Sequence, residues 1–332
     1  MAIDKESEGK DYEVLLWSDF GGPDFLATWR RELENAGLTI VEAKLGVDLE
    51  KVRYVVCFNP PDGLLAQCPN LRLIHSMGAG ITHRMLRDEV CPTHVPMVRV
   101  VDPLMAQRMA TFCMWAVINV QRKCDAYLEA QNDCRWDKSV ENFTIRDNSS
   151  VRVGILGLGN LGAATATLLL AAGYPVSAWT RSARANDQKN ARISYYHDRE
   201  GLFELAREAQ ILICLLPLTD ETAGLLDARL FATLPPGAAI INVARGGHVV
   251  DVDLIQALDS GHLSAAVLDV FHEEPLPKIS PLWTHPRVRV FPHVSSVTQR
   301  QEAVRQMKEN FDSMDAGTDI PRDRFIVRSR GY

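Results

Sequence analysis

Arg245, Glu274 and His293 stand at the ends of apolar runs late in the chain, downstream of the glycine pattern Gly157-Leu158-Gly159-Asn160-Leu161-Gly162. A guanidinium, a carboxylate and an imidazole in that setting suit hydride chemistry on a 2-keto acid. The carboxylate of such a substrate needs a fixed cation, its carbonyl oxygen needs a proton as hydride reaches the carbon, and the proton donor needs an acidic neighbour to keep it charged. Taken singly, each residue has a structural explanation. An arginine just past a strand is most often a surface group, and a strand-end histidine is most often a hydrogen-bonded structural one. Their joint order is what favours chemistry.

A GxGxxG pattern by itself is a weak signal, because glycine triplets arise in ordinary turns. Here it follows a buried-strand pattern over 151–156 and opens an apolar helix expected over 161–172, where backbone N–H groups and the helix N-terminus can hold a pyrophosphate. Gly157, Gly159 and Gly162, with Asn160 and Leu161, therefore form the candidate dinucleotide site. An NAD site carries an Asp or Glu about twenty residues further on, against the ribose hydroxyls. This chain has Trp179-Thr180-Arg181-Ser182-Ala183-Arg184 there, with no acid. The guanidinium groups of Arg181 and Arg184 and the hydroxyls of Thr180 and Ser182 suit a 2′-phosphate, so NADPH is the expected coenzyme. The alternative treats both arginines as solvated turn residues and admits NADH. Asp269, at a strand-to-loop position, suits a hydrogen bond to the nicotinamide carboxamide, with a helix N-cap as the alternative.

A chain of 332 residues, 46% of them hydrophobic, is long enough for two domains with separate cores. The formal net charge of -6 and the lack of a basic run argue against nucleic acid and membrane surfaces, leaving a small molecule as the expected partner. Residues 1–12 are polar rather than signal-like, and no segment approaches the roughly eighteen apolar residues of a membrane span, so a cytoplasmic protein is expected. The 7 cysteines include no CxxC pair and mostly sit in apolar context, which reads as reduced and structural. A metal site is the sharper alternative, but no clustered ligand spacing supports it and none is expected.

The first hundred residues alternate apolar runs at 14–17, 54–58 and 71–75 with helical stretches such as 23–36, the rhythm of a small parallel α/β domain. Gly78-Ala79-Gly80 follows the last run, where open parallel sheets place their ligand crevice. Apolar residues at three- and four-residue steps predict a linking helix over 104–122. The polar stretch 123–150, with isolated Tyr127, Trp136 and Phe143, reads either as an ordered surface excursion or as an arm on a second subunit. Strands at 151–156, 176–179, 211–216, 239–243, 265–268 and 288–291 make a Rossmann sheet, and an amphipathic tail helix over 298–314 is expected to fold back on the first domain. The fold class is thus α/β, with two Rossmann-like or flavodoxin-like domains, parallel sheets and an active site in the interdomain cleft. The expected boundaries are 1–103 for a substrate-binding domain, completed by 297–332, and 104–296 for a dinucleotide-binding Rossmann domain.

Several segments point to one family: Gly154-Ile155-Leu156-Gly157-Leu158-Gly159, Trp179-Thr180-Arg181-Ser182, Leu215-Leu216-Pro217, Asn242-Val243-Ala244-Arg245-Gly246, Leu268-Asp269-Val270-Phe271, Glu274-Pro275-Leu276-Pro277, Ser280-Pro281-Leu282-Trp283, Pro292-His293 and Arg330-Gly331-Tyr332. With them, residues 54–332 resemble the D-isomer-specific 2-hydroxyacid dehydrogenase family, and within it most closely the NADPH-dependent glyoxylate/hydroxypyruvate reductase A type. The resemblance implies His293 as general acid, Glu274 as its partner, Arg245 as the clamp on substrate carboxylate and carbonyl, and Leu216 and Pro217 on the coenzyme. It also implies that backbone N–H groups of Gly78-Ala79-Gly80 hold the same carboxylate. Many relatives continue that loop with Val-Asp where this chain has Ile81-Thr82-His83, which leaves its outer support open. Glu273 offers a second carboxylate, although register to Pro275 favours Glu274. The implied activity is reduction of glyoxylate and hydroxypyruvate by a homodimer. A bulkier, phenylpyruvate-type keto acid is the alternative, and a non-catalytic dinucleotide sensor the remote one, since a pure binding module needs no matched proton donor.

Overall fold

The computed structural model of the protein describes residues 12–19, 21–43, 48–140, 147–181, 183 and 191–328. Ser182, Arg184, Phe143, the side chain of His83, and segments 1–11 and 330–332 lie outside the described residues. The chain divides into two compact units, residues 1–102 with 298–332, and residues 103–297.

The N-terminal unit runs β1 (Glu13–Ser18), α1 (Gly22–Asn35), β2 (Ile40–Glu42), β3 (Val52–Phe58), β4 (Leu73–Ser76) and β5 (Met97–Val98). Its sheet has the order β2-β1-β3-β4-β5 with every pairing parallel. β3 and β4 read as near-continuous apolar runs because both faces of a parallel sheet are covered. β2 and β5, of 3 and 2 residues, are too short to leave a pattern and were not expected.

The central unit contributes α2 (Pro103–Gln121), α3 (Cys124–Asn132), β6 (Val153–Leu156), α4 (Asn160–Ala171), β7 (Val176–Thr180), β8 (Ile193–His197), α5 (Asp198–Glu208), β9 (Ile211–Cys214), α6 (Ala228–Thr233), β10 (Ala238–Asn242), α7 (Asp251–Asp259), β11 (Leu263–Leu268) and β12 (Val288–Val290). All pairings are parallel in the order β12-β11-β10-β9-β6-β7-β8. Successive β9 residues alternate between two cores: Ile211 and Ile213 pack with Cys113, Ala166 and Leu169 of α2 and α4, whereas Leu212 and Cys214 pack with Leu205, Phe231 and Leu254 of α5, α6 and α7. β8 corrects the expected strand set. It is a half-exposed edge strand of sequence ISYYH, so it carries no buried apolar run. The stretch expected to be a polar excursion begins with α3.

The last helix, α8 (Arg300–Ala316), belongs to the N-terminal unit, where Ala303, Met307 and Phe311 are buried and the Phe311 ring stacks on Tyr54 with centroids 4.5 Å apart. Among the described residues no helix is long and apolar enough to cross a membrane.

Candidate active site

In the central sheet β6 is flanked by β7 on one side and β9 on the other, so the strand order reverses at the β6–β9 pair. Open parallel sheets bind ligands at the carboxyl ends of such a pair. The glycine turn leaves β6 there. A Cβ on Gly162 would lie 2.0 Å from the Gly157 carbonyl oxygen, so only glycine lets α4 close onto the strand this tightly. A Cβ on Gly159 would meet nothing within 4 Å, which leaves room for a phosphate beside the backbone. No side chain caps α4, so its first N–H groups are aimed at that space with the positive end of the helix dipole behind them. These features fit a dinucleotide pyrophosphate. Leu216 and Pro217 follow β9, whose end joins β6 through the Leu215 N–H on the Leu156 carbonyl at 2.9 Å.

At the end of β7, Thr180 is buried and its Oγ1 lies 3.0 Å from Nδ1 of His197 on β8. Arg181 is exposed, and its Nη1 donates to Glu221 Oε2 at 2.9 Å. The sequence reading found no acid near this strand end. Glu221 supplies one from a loop 40 residues away, beyond the reach of a local spacing argument.

Arg245 follows β10 and enters a single 3-10 turn, Gly246–His248. Its Nη1 donates to the Ala244 carbonyl at 2.6 Å. The Arg245 carbonyl accepts from Asn242 Nδ2 at 3.0 Å and from the His248 N–H at 3.2 Å. The φ of Gly246 is not in the left-handed region; glycine is needed because a Cβ would sit 1.9 Å from the Phe271 carbonyl carbon, so the Arg245 turn packs backbone against backbone on the loop that carries Glu274. Burial pushes the Arg245 guanidinium below its ordinary value, with the nearby Glu274 charge opposing that push.

Glu274 and His293 meet. Glu274 Oε2 accepts from His293 Nδ1 at 2.7 Å and Oε1 accepts from the Phe271 N–H at 2.9 Å, so both carboxylate oxygens are held. The Glu274–Pro275 peptide is cis. Burial pushes the Glu274 carboxyl up, but the His293 and Phe271 hydrogen bonds and the charges of His293 and Arg245 outweigh it and hold the group below the ordinary glutamate value. The carboxylate form is therefore the one the site favours.

Asp269 is fully buried, and no helix begins at it, which sets aside the N-cap alternative. Its carbonyl accepts from the His293 N–H at 2.9 Å, its Oδ1 from the Val294 N–H at 2.7 Å and its Oδ2 from the Ser295 N–H at 3.0 Å. His293 has φ of 56°, a left-handed conformation that a residue with a Cβ adopts only when its surroundings impose it. Asp269 imposes it, and so sets where the imidazole stands. Sequence offers one signal for this, an aspartate buried at a strand end, and it does not identify the partner.

In the N-terminal unit the Gly78-Ala79-Gly80 loop leaves β4 around Ser76, whose hydroxyl donates to the Gly80 carbonyl at 2.9 Å and accepts from the Gly78 N–H at 3.3 Å. The Gly78 N–H is thus turned inward, and among the described residues the N–H groups of Ala79 and Gly80 have no partner. The outer support, left open by the sequence, is a polar chain: Thr82 Oγ1 donates to Asn59 Oδ1 at 3.0 Å and Asn59 Nδ2 donates to Asp19 Oδ2 at 2.5 Å.

Residues 114–295 match the family model for the D-isomer specific 2-hydroxyacid dehydrogenase, NAD binding domain. The chain is 36% identical over 314 residues to the glyoxylate/hydroxypyruvate reductase A of Klebsiella pneumoniae (strain 342), covering 92% of this chain and 96% of that protein. Among solved structures, a D-isomer specific 2-hydroxyacid dehydrogenase from Xanthobacter autotrophicus Py2, in complex with NADPH and MES, superposes with a TM-score of 0.83 at 37% identity, over 97% of this chain and 100% of that one. The NADPH-dependent glyoxylate/hydroxypyruvate reductase of Sinorhizobium meliloti, in complex with NADP and sulfate, does so with a TM-score of 0.84 at 28% identity, over 97% and 100%. A family match over more than half of the chain, a relative matched over nearly its whole length and a parallel sheet with the glycine turn at its switch point agree, and the chain belongs to the D-isomer specific 2-hydroxyacid dehydrogenases.

Proposed function

We propose that the protein is an NADPH-preferring reductase of small 2-keto acids, glyoxylate and hydroxypyruvate among them. The observation that carries this reading is the His293–Glu274 pair, a 2.7 Å contact on a turn that Asp269 holds in place, in the same unit as Arg245. Names and bound coenzymes of the relatives support the substrate and the coenzyme.

When bound, the coenzyme supplies a hydride to the keto carbon. Gly157, Gly159, Asn160, Leu161 and Gly162 hold its pyrophosphate, Leu216 and Pro217 line it, and Thr180 and Arg181 form the described part of the 2′-phosphate site. Arg245, with its planar fork, is the group assigned to the substrate carboxylate and carbonyl, and the N–H groups of Ala79 and Gly80 are the carboxylate-binding groups assigned in the N-terminal unit. His293 gives its Nε2 proton to the carbonyl oxygen as negative charge develops there, and Glu274 stabilises the imidazolium through Nδ1 until that transfer. The Asp269 carboxylate keeps two backbone hydrogen bonds, and its remaining lone pairs suit the nicotinamide carboxamide.

Leu104, Trp115, Ile118 and Trp136 are large exposed apolar side chains on and after α2, and this surface supports a homodimer. Sedimentation measures that state directly. Initial rates for a panel of 2-keto acids of increasing size, with NADPH and NADH at limiting concentration, test the activity. The reading requires glyoxylate and hydroxypyruvate to outpace phenylpyruvate and NADPH to outpace NADH, and the reverse order would replace it.

A further inference from the structure

His248 is absent from the chemistry above, yet it is fully buried beside it. It closes the 3-10 turn that Arg245 enters, and its two ring nitrogens face two backbone carbonyls from different segments. Nδ1 lies 2.9 Å from the Arg245 oxygen and Nε2 lies 3.3 Å from the Pro217 oxygen. Pro217 belongs to the segment after β9, where its carbonyl also accepts from Thr222 Oγ1 at 2.8 Å, closing that turn. One imidazole therefore spans the segment assigned to the coenzyme and the backbone of the residue assigned to the substrate.

We propose that His248 is a positioning residue that holds the Arg245 backbone carbonyl and so sets the angle of the substrate clamp. The proposal rests on the reading of Arg245 as that clamp. Burial pushes the His248 imidazole below its ordinary value against the pull of the two carbonyls, and the Arg245 charge pushes the same way as burial. The neutral ring has one N–H and donates to one carbonyl at a time. The shorter contact assigns that hydrogen to Nδ1, toward Arg245, so the 3.3 Å approach of Nε2 to the Pro217 oxygen is a packing contact and not a hydrogen bond. The Arg245 oxygen then accepts from the His248 ring, the His248 N–H and Asn242 Nδ2 together, which fixes the peptide plane from which the guanidinium departs.

Two amide variants separate the contacts. The amide nitrogen of His248→Asn falls near the position of Nδ1 and retains the Arg245 bond, whereas that of His248→Gln falls near Nε2, toward Pro217, and gives up the Arg245 bond. One hydrogen bond is worth roughly two- to tenfold in an equilibrium constant. His248→Gln is expected to raise the glyoxylate KM about five- to tenfold at saturating NADPH, with kcat and the NADPH KM within about twofold of wild type. His248→Asn is expected to keep the glyoxylate KM within about threefold of wild type. A merely structural role would lower the Tm of both variants together and leave their KM values in step. Equal glyoxylate KM values in wild type, His248→Gln and His248→Asn, with turnover intact, would overturn the positioning role alone. A wild type that reduces no 2-keto acid would overturn it together with the assignment of Arg245.

Discussion

Replacing Glu274 by glutamine removes one charge and almost no volume, so it isolates what the carboxylate does for His293. The Glu274 carboxyl is held below its ordinary value, so the charged form and the stability it contributes are fully present above that ordinary value and are lost only as pH falls through the lowered one. Over the neutral range the His293 imidazolium thus faces a full negative charge at 2.7 Å between nearest atoms. Unit charges about 4 Å apart attract by roughly 1 kcal/mol in water and roughly 4 kcal/mol at a protein-surface dielectric. His293 is 42% exposed and Glu274 26%, so solvent screening places the pair toward the lower end of that range. The wild type is therefore expected to lose keto-acid reduction on the acid side only as pH falls through the lowered Glu274 value, and Glu274→Gln, with no carboxylate to protonate, is expected to lack that limb and to run about tenfold slower above it, about 1.4 kcal/mol of lost charge stabilisation. The assay is kcat/KM for keto-acid reduction against pH, at saturating coenzyme, on wild type and variant. Profiles that overlay would refute the pairing, and Glu273→Gln would then be the variant to measure.

Arg181→Ala is expected to lower the NADPH over NADH preference about tenfold, the loss of one charge-assisted phosphate contact. Glu221→Gln frees Arg181 from an exposed pair worth at most about 1 kcal/mol and is expected to tighten NADPH two- to fivefold; coenzyme titrations that leave both ratios unmoved would remove Arg181 from the phosphate site. Asp269→Asn turns an amide hydrogen against the Val294 or Ser295 N–H, leaving a buried donor unpaired at roughly 1–3 kcal/mol. Its Tm and kcat should both fall, kcat by about ten- to a hundredfold, and a variant with wild-type values of both would detach Asp269 from the His293 turn. Ser76→Ala releases the Gly78–Gly80 loop, so the keto-acid KM should rise about three- to tenfold with the NADPH KM constant, and a KM change confined to NADPH would reassign the loop.

What the sequence made legible was whatever depends on period or on local spacing. The longer parallel strands are buried on both faces and advertise themselves as apolar runs, and the glycine turn is local in sequence because a strand, a tight turn and a helix start must follow one another. β8 escaped because an edge strand has a half-wet surface and so carries no apolar block. The Arg181–Glu221 pair, the Asp269 grip and the His248–Pro217 contact escaped for a different reason. Each joins segments that are 25 or more residues apart through a few atoms, and no period in the chain records which loops the sheet will bring together.

The same physics explains why the acid-base residue stands on one of those unrecorded contacts. A strand end delivers side chains to one edge of the sheet but leaves the direction of the next residue unspecified. His293 points where it does because its backbone is turned into the left-handed region, which costs on the order of 1 kcal/mol for a residue with a Cβ. A single hydrogen bond would offset little more than that cost. Asp269 instead engages the N–H groups of residues 293, 294 and 295, so that the turn cannot relax without stripping a buried carboxylate of its donors. Glu274, held in turn by the Phe271 N–H, then fixes the ring itself. The imidazole is therefore determined twice, once through its backbone and once through Nδ1. That leaves Nε2 as the ring atom with freedom to exchange a proton, as a general acid requires.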